Sequence, residues 1–287
     1  PLAPPHPLTH AHPTDRLHAL ALAHPTTVTL LPLGHSRNGR GIHAVRLTDG
    51  GGDPPPGRPA ILVVANVDGP QTFGSTIALH QAEELARRFA AGDEAARELL
   101  ATTTLYIVPC ANPDAAAARF AQPLREADTG GRGVDNDRDR RAGEDGPADV
   151  NGDGRITTMR WEDPDGRWIP DPTDPRAMVE ADRAKGEIGR WKGAVEARDA
   201  DGDEEVGEDP EHDTRLNANF PHEWVEHAPD AGLFPLDEPE ARALVDFVLL
   251  HPDLALVLTY GALDNLVKEP KKVEEGAPPV KRIPRPG

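Results

Sequence analysis

One cysteine, Cys110, stands in 287 residues. An internal disulfide and a thiolate-rich zinc site each need at least two, so both are excluded. The plain expectation for Cys110 is a buried residue at the end of a strand. No apolar run reaches the roughly eighteen residues that a membrane-crossing helix requires. Aromatic residues make up only 4% of the chain, so the core has to rest on Val, Leu, Ile and Ala. Positive charge is short as well: 31 Lys and Arg face 49 Asp and Glu, a net of −18. That balance argues against nucleic acid and anionic membrane surfaces as partners, and it favours solubility and divalent cations. The chain opens on Pro1 rather than Met. A signal peptide upstream is compatible with this start, and the expected location is extracellular or periplasmic.

What is present reads as alternating strands and helices. Residues 14–24 pattern as a helix, with Thr14 as a cap and Leu17, Leu20 and Ala21 on one face. Residues 42–47 alternate apolar and polar, as a half-buried strand does. AILVVA (60–65), TLYIVP (104–109) and LALVLTY (254–260) are short continuous apolar runs, expected as strands buried on both faces. Between them, Ala78, Ala82, Leu85, Ala86 and Phe89 form one helical stripe. Ala241, Leu244, Val245 and Val248 form another, behind a first-turn Pro239. The alternation predicts an α/β fold: a mixed, mostly parallel central sheet with helices on both faces. Residues 124–213 depart from it. They hold 27 acidic and 14 basic residues, a net of −13, with no sustained period, and are expected to be an acidic irregular insertion. The expected division is a domain over 1–267 that contains this insertion, then a Pro- and Lys-rich tail over 268–287.

Five segments, taken in order, resemble the zinc carboxypeptidase family of carboxypeptidase A type. A helix and strand lead to a G-x-S-x-x-G-R turn at Gly34, Ser36, Gly39 and Arg40. PAILVVANVDGPQ resembles the strand and loop that bear the first two zinc ligands. YIVPCANPDA resembles the family's P-x-x-N-P-D segment at Pro109, Asn112, Pro113 and Asp114. LNANFP resembles L-N-R-N-F-P, and residues 238–261 resemble the helix and strand that lead to the third ligand. The resemblance spans about residues 9–267. It implies a zinc ion held by His, Glu and His that activates a water, a glutamate base, and an Asn–Arg pair that grips a substrate carboxylate. It places the substrate cleft at Arg40, Asn112, Asn217, Ala218 and Tyr260.

This sequence departs from the pattern where the chemistry sits. The first two ligand positions fall on Asp68 and Gln71. The third falls near Leu258, and residues 258–260 contain no His. A neutral amide is a poor zinc ligand, whereas Asp68 offers an oxygen. The anchoring arginine is replaced by Ala218, and the glutamate base is expected beyond residue 267. The loop at 65–71 then reads as a former zinc loop kept for its turn, with Gly69 and Pro70 bending the chain and Asp68 and Gln71 satisfying loop amides and the helix start. A rebuilt site of Asp68, Asp264 and Asn265 would suit a hard cation better than zinc. In HEWVEH, His222 and His227 stand five apart, off the four-residue spacing that puts two ligands on one helical face. His6, His10 and His12 are expected in solvent.

The insertion offers a second chemistry. Asp149, Asn151 and Asp153 take positions 1, 3 and 5 of a calcium loop, with Gly154 at the turn and Ile156 at the apolar place. Arg160 stands where the bidentate Glu belongs. Asp135, Asp137 and Asp139 repeat the spacing, as do Asp199, Asp201 and Asp203, both without the glycine. Three functions stay open from sequence. One is an inactive homologue whose cleft binds a peptide or other small ligand. Another is an active metallocarboxypeptidase with a rebuilt metal site. The third is a calcium-stabilised structural or adhesion module of a larger chain.

Overall fold

The computed structural model describes residues 11–50, 52–69, 71–125, 146–199, 214–226, 228 and 230–261. Along the chain these form α1 (Ala11–Ala23), β1 (Val28–His35), β2 (Gly41–Leu47), β3 (Ala60–Ala65), α2 (Thr72–Ala90), α3 (Glu94–Thr102), β4 (Thr104–Val108) and α4 (Pro113–Phe120). There follow β5 (Thr158–Glu162), β6 (Trp168–Pro170), β7 (Met178–Glu180), β8 (Trp191–Val195), α5 (Pro239–Leu250) and β9 (Leu254–Tyr260). Single turns of 3-10 helix lie at Arg183–Lys185 and Leu216–Ala218. Among the described residues no helix is long and apolar enough to cross a membrane.

The main sheet has five strands in the order β1-β2-β4-β3-β9. It is mixed, as the alternation predicts. Parallel pairing is confined to β4–β3 and β3–β9, while β1–β2 and β2–β4 are antiparallel, so the two senses are balanced. Period-two alternation sends successive side chains to opposite faces. Val45, Leu47, Val63, Ala65, Leu105 and Ile107 meet α1, α2 and α3 on one face. Ile42, Ala44, Leu62, Val64, Tyr106 and Val108 meet α5 and the 3-10 turn at Leu216 on the other. Helices therefore cover both faces.

Several expectations shift. The first helix begins at Ala11, which puts Thr14 inside it rather than at its cap. On α5 the buried stripe is Ala241, Leu244 and Phe247, and Val248 is exposed. Phe247 turns inward because it packs edge-on against Tyr106 and stacks on His251 at 4.0 Å. β9 is not buried on both faces. It lies at the edge of the described sheet, where Leu256 and Val257 stay in contact with solvent.

The insertion is not wholly irregular. Residues 158–195 fold into a second, four-stranded sheet in the order β5-β8-β6-β7, with antiparallel neighbours throughout. Its strands are three to five residues long, and none of their residues is buried. A strand that buries neither face has no reason to alternate apolar and polar residues, so no period marks it.

Candidate functional site

From β3 the chain passes to the first face through α2. From β4 it returns to β9 by way of α5 on the second face. Loops that part to opposite faces leave a crevice beyond the carboxyl ends of the strands, and here it lies past β3 and β4. Backbone bonds continue the pairing two residues further, from the Ala111 amide to the Ala65 carbonyl and from the Asn112 amide to the Asn66 carbonyl, each 3.0 Å.

Asn66, fully buried, organises the loop after β3. It takes the left-handed conformation with φ 57°, which Asn tolerates because its short side chain bonds locally. Its amide donates to the carbonyls of Asp68 at 3.2 Å and Gly69 at 3.0 Å, and its Oδ1 accepts the Cys110 thiol at 3.3 Å. Asn66 thus ties the loop through its carbonyls, in place of the amide bonds expected from Asp68 and Gln71. Gln71 stands at the N-cap of α2 but makes no side-chain capping bond. Its contribution is through the backbone: its amide donates to the Asp68 carbonyl at 2.9 Å. Asp68 is half-buried, and its carboxylate has no hydrogen-bond or ion-pair partner among the described residues. Pro70 lies outside the described residues. Cys110 sits just past β4 with a half-buried thiol, and burial, with Asp114 nearby, pushes its pKa up to about 12. That keeps it a thiol rather than a nucleophile.

The third ligand position does not reach this crevice. Leu258 pairs with Val63 and packs into the core under α2. Tyr260, two residues on and therefore on the same face, pairs with Ala65 and donates its hydroxyl to Gln81 of α2 at 3.2 Å. Neither side chain turns into the cleft. What does approach Asp68 from β9 is Gly261: a Cβ built there would lie 3.6 Å from Asp68 Oδ2. The donor set at the family's zinc position is thus one carboxylate, one amide on an exposed side chain and no imidazole, which does not fit a zinc ion. Among the described residues no group of three His, Cys, Asp or Glu is arranged to hold a metal. Asp264, Asn265 and His227 lie outside the described residues.

The other cleft positions are largely structural. Arg40 forms an ion pair with Asp114 at 2.6 Å, and Asp114 also accepts the Ser36 hydroxyl at 2.8 Å and the Asn38 amide at 2.9 Å. Asn112 caps α4 by accepting the Ala115 amide at 3.1 Å. It is buried, and its Nδ2 has no partner among the described residues. Asn217 is exposed and Ala218 half-buried. Their neighbour Asn219 is fully buried: its amide donates to the Ala231 and Phe234 carbonyls and its Oδ1 accepts the Glu238 amide. Beside Asp114, Glu238 binds Arg37 through both oxygens, while Glu240 accepts the Arg37 amide at 3.2 Å and leaves Oε2 unpartnered among the described residues. Burial first, then the neighbouring Glu238 and Asp114, push the Glu240 pKa up to about 7.

A cavity of about 240 Å³ opens next to the crevice, lined by Thr14, Arg40, His43, Pro109 and Cys110 among others. His43 is held below its ordinary pKa by burial and then by His18, and its Nδ1 is buried without a partner among the described residues. A Cβ on Gly41 would come 2.4 Å from the His43 imidazole, so any larger residue there would displace the ring.

In the insertion, residues 149–154 wind into a tight loop with Gly152 and Gly154 at φ 75° and 83°. Asp149 accepts the amides of Gly152, Asp153 and Gly154. Beneath it the buried Glu196 accepts the amides of Val150, Asn151 and Thr157, and those bonds hold its pKa below the usual range. Glu196 is a residue the spacing of the loop gives no hint of. Asp199 is described and exposed. Asp135, Asp137, Asp139, Asp201 and Asp203 lie outside the described residues.

A mixed sheet with helices on both faces, in which the parallel strands β3 and β4 end side by side, defines an α/β domain. Comparison gives what it is similar to. Residues 14–153 match the zinc carboxypeptidase family model. Carboxypeptidase D of Rattus norvegicus is 34% identical over 110 residues, which cover 33% of this chain and 8% of that protein. Carboxypeptidase D of Anas platyrhynchos is 41% identical over 78 residues, 27% of this chain and 5% of that one. The crystal structure of thrombin activatable fibrinolysis inhibitor superposes with a TM-score of 0.50 at 11% identity, covering 88% of this chain and 46% of that one, a likeness of fold. The similarity to the zinc carboxypeptidase family is carried by residues 14–153, just under half of this chain. The chain spans under a tenth of the length of these two curated relatives.

Proposed function

We propose that this zinc carboxypeptidase-family domain is a binding domain and not a hydrolase. The observation that carries the reading is the donor set at the old ligand positions: Asp68 and Gln71 on the loop, and β9 turning Leu258 and Tyr260 toward α2. Zinc at a catalytic site takes three protein ligands, mostly imidazole and carboxylate, and keeps one open place for water. What remains at the end of β3 is the half-buried carboxylate of Asp68, without a partner among the described residues. An acceptor of this kind suits the amide donors of a peptide or another small amide-bearing ligand. The reading predicts neither retained zinc nor release of C-terminal residues from peptides with free carboxylates, with protein-free buffer as the reference. Zinc-dependent release would return the chain to the hydrolases.

A second reading concerns calcium in the 149–154 loop, and its support is the way Asp149 and Glu196 hold that loop wound. Calcium that binds only the folded chain raises its melting temperature by mass action. Millimolar calcium is expected to raise it by about 2–4 °C, for a gain of about 1 kcal/mol in a chain of this size. Asp149→Asn with Asp153→Asn should abolish the rise. An unchanged curve in the parent protein would leave the loop a self-capped turn.

A further inference from the structure

The small sheet lies beyond the family match, which ends at residue 153. β5 and β7 are its opposite edges. Yet Arg160 of β5 donates to the Pro175 carbonyl, three residues before β7, at 2.9 Å and sits 3.0 Å from the Met178 sulfur within β7. The sheet is therefore curled, edge toward edge, around a cavity of about 440 Å³. Arg160, Arg167, Arg176 and Lys192 line it together with Trp168, above a strand that is bare at Gly193. Among the described residues no carboxylate lines it, although Glu162 and Glu180 belong to the same sheet.

We propose that this cavity binds a tetrahedral oxyanion ester, a phosphate or sulfate group carried on a small organic body. Guanidinium forks are suited to oxyanions, and two of them are oriented by indoles: Arg160 lies 5.3 Å from the Trp191 ring and Arg167 lies 5.2 Å from that of Trp168. Lys192 pairs with Asp163 at 3.0 Å and Arg176 with Asp174 at 2.8 Å, exposed bridges of the weak kind that an oxyanion can share or displace. The cavity falls in the range of small-molecule sites and has room for more than a bare oxyanion, so the organic part would lie against Trp168 and Met178. The acidity of the rest of the chain acts at longer range, and at physiological salt it is screened beyond about 8 Å.

The test is a titration of tryptophan fluorescence with phenyl phosphate and with phenyl sulfate, using phenol and an Asp-Glu dipeptide as comparisons. One of the esters is expected to give a saturable change, weakened by added salt, and the preferred ester identifies phosphate or sulfate as the source. Arg167→Gln should weaken it about tenfold, the loss of one charge-assisted bond, while Arg87→Gln on the remote face of α2 leaves it unchanged. Lys192→Gln, run in parallel, should weaken binding in the same way, and it carries the test should Arg167→Gln alter the melting curve. No saturation by either ester, parental affinity in both cavity variants, or equal or tighter binding of phenol or the dipeptide would overturn the proposal.

Discussion

Asp114→Ala is expected to lower the stability of the domain by about 3 kcal/mol, near the low end for breaking a buried ion pair. Asp114 is buried and takes three donors at once: the Arg40 guanidinium, the Ser36 hydroxyl and the Asn38 amide. Removing it leaves a buried hydroxyl and a turn amide without an acceptor and strands a charge. The Arg40 side chain is 35% exposed, so it regains some hydration, which is why the low end applies. In a chain of this size the melting temperature should fall by about 6–12 °C. Asp114→Asn, which keeps one acceptor oxygen, should cost less. A fall under about 2 °C for the alanine variant would show that the turn at 36–40 is held by something else.

The second large effect depends on pH. Glu240 has its pKa raised to about 7 from 4.5, through burial and the nearby Glu238 and Asp114. A folded-state pKa above the unfolded one means that the folded chain binds the extra proton. The stability this proton supplies is full below about 4.5 and is lost as pH rises to about 7. The shift corresponds to about 3 kcal/mol over that window, at about 1.36 kcal/mol per pH unit. Arg37 and Arg40 also face the cluster, and the Arg37 amide favours the ionised form, so the loss is the net of these effects. Glu240→Gln should be about as stable as the parent at pH 4.5 and clearly more stable at pH 8. Urea unfolding of both proteins at pH 4.5, 6 and 8 measures the difference, which cancels other carboxylates. A difference that stays constant with pH would place the titration elsewhere.

The sheet was the most legible part of the sequence. β3 and β9 fall where continuous apolar runs place them; β3 is the buried strand such a run implies, while β9 keeps the same signature at the edge of the described sheet. The stripe on α2 was equally plain, since Ala78, Ala82 and Ala86 all reach zero exposure. The second sheet left none, being short and wet on both sides. At the site, the ligand positions could be counted along the chain, but the residues that shape the crevice could not. Asn66 and Asn219, like Glu196 under the 149–154 loop, act through bonds to backbone groups distant in sequence or hidden in loops, and polar residues doing so have no period. An Asn directly after a buried strand is the one local hint, for its tolerance of the left-handed conformation. Which way Leu258 and Tyr260 point follows only from the pairing of β9 with β3.

Likeness to a zinc-enzyme family is compatible with the proposed loss of its metal site, because the fold rests on the sheet and the chemistry on a few side chains at its edge. Zinc bound by the purified chain tests the loss most directly. After equilibration with zinc and dialysis, elemental analysis should find far less than one zinc per chain, with no change on Asp68→Ala. Close to one zinc per chain, lost in the Asp68→Ala variant, would contradict the account and make Asp68 a true ligand.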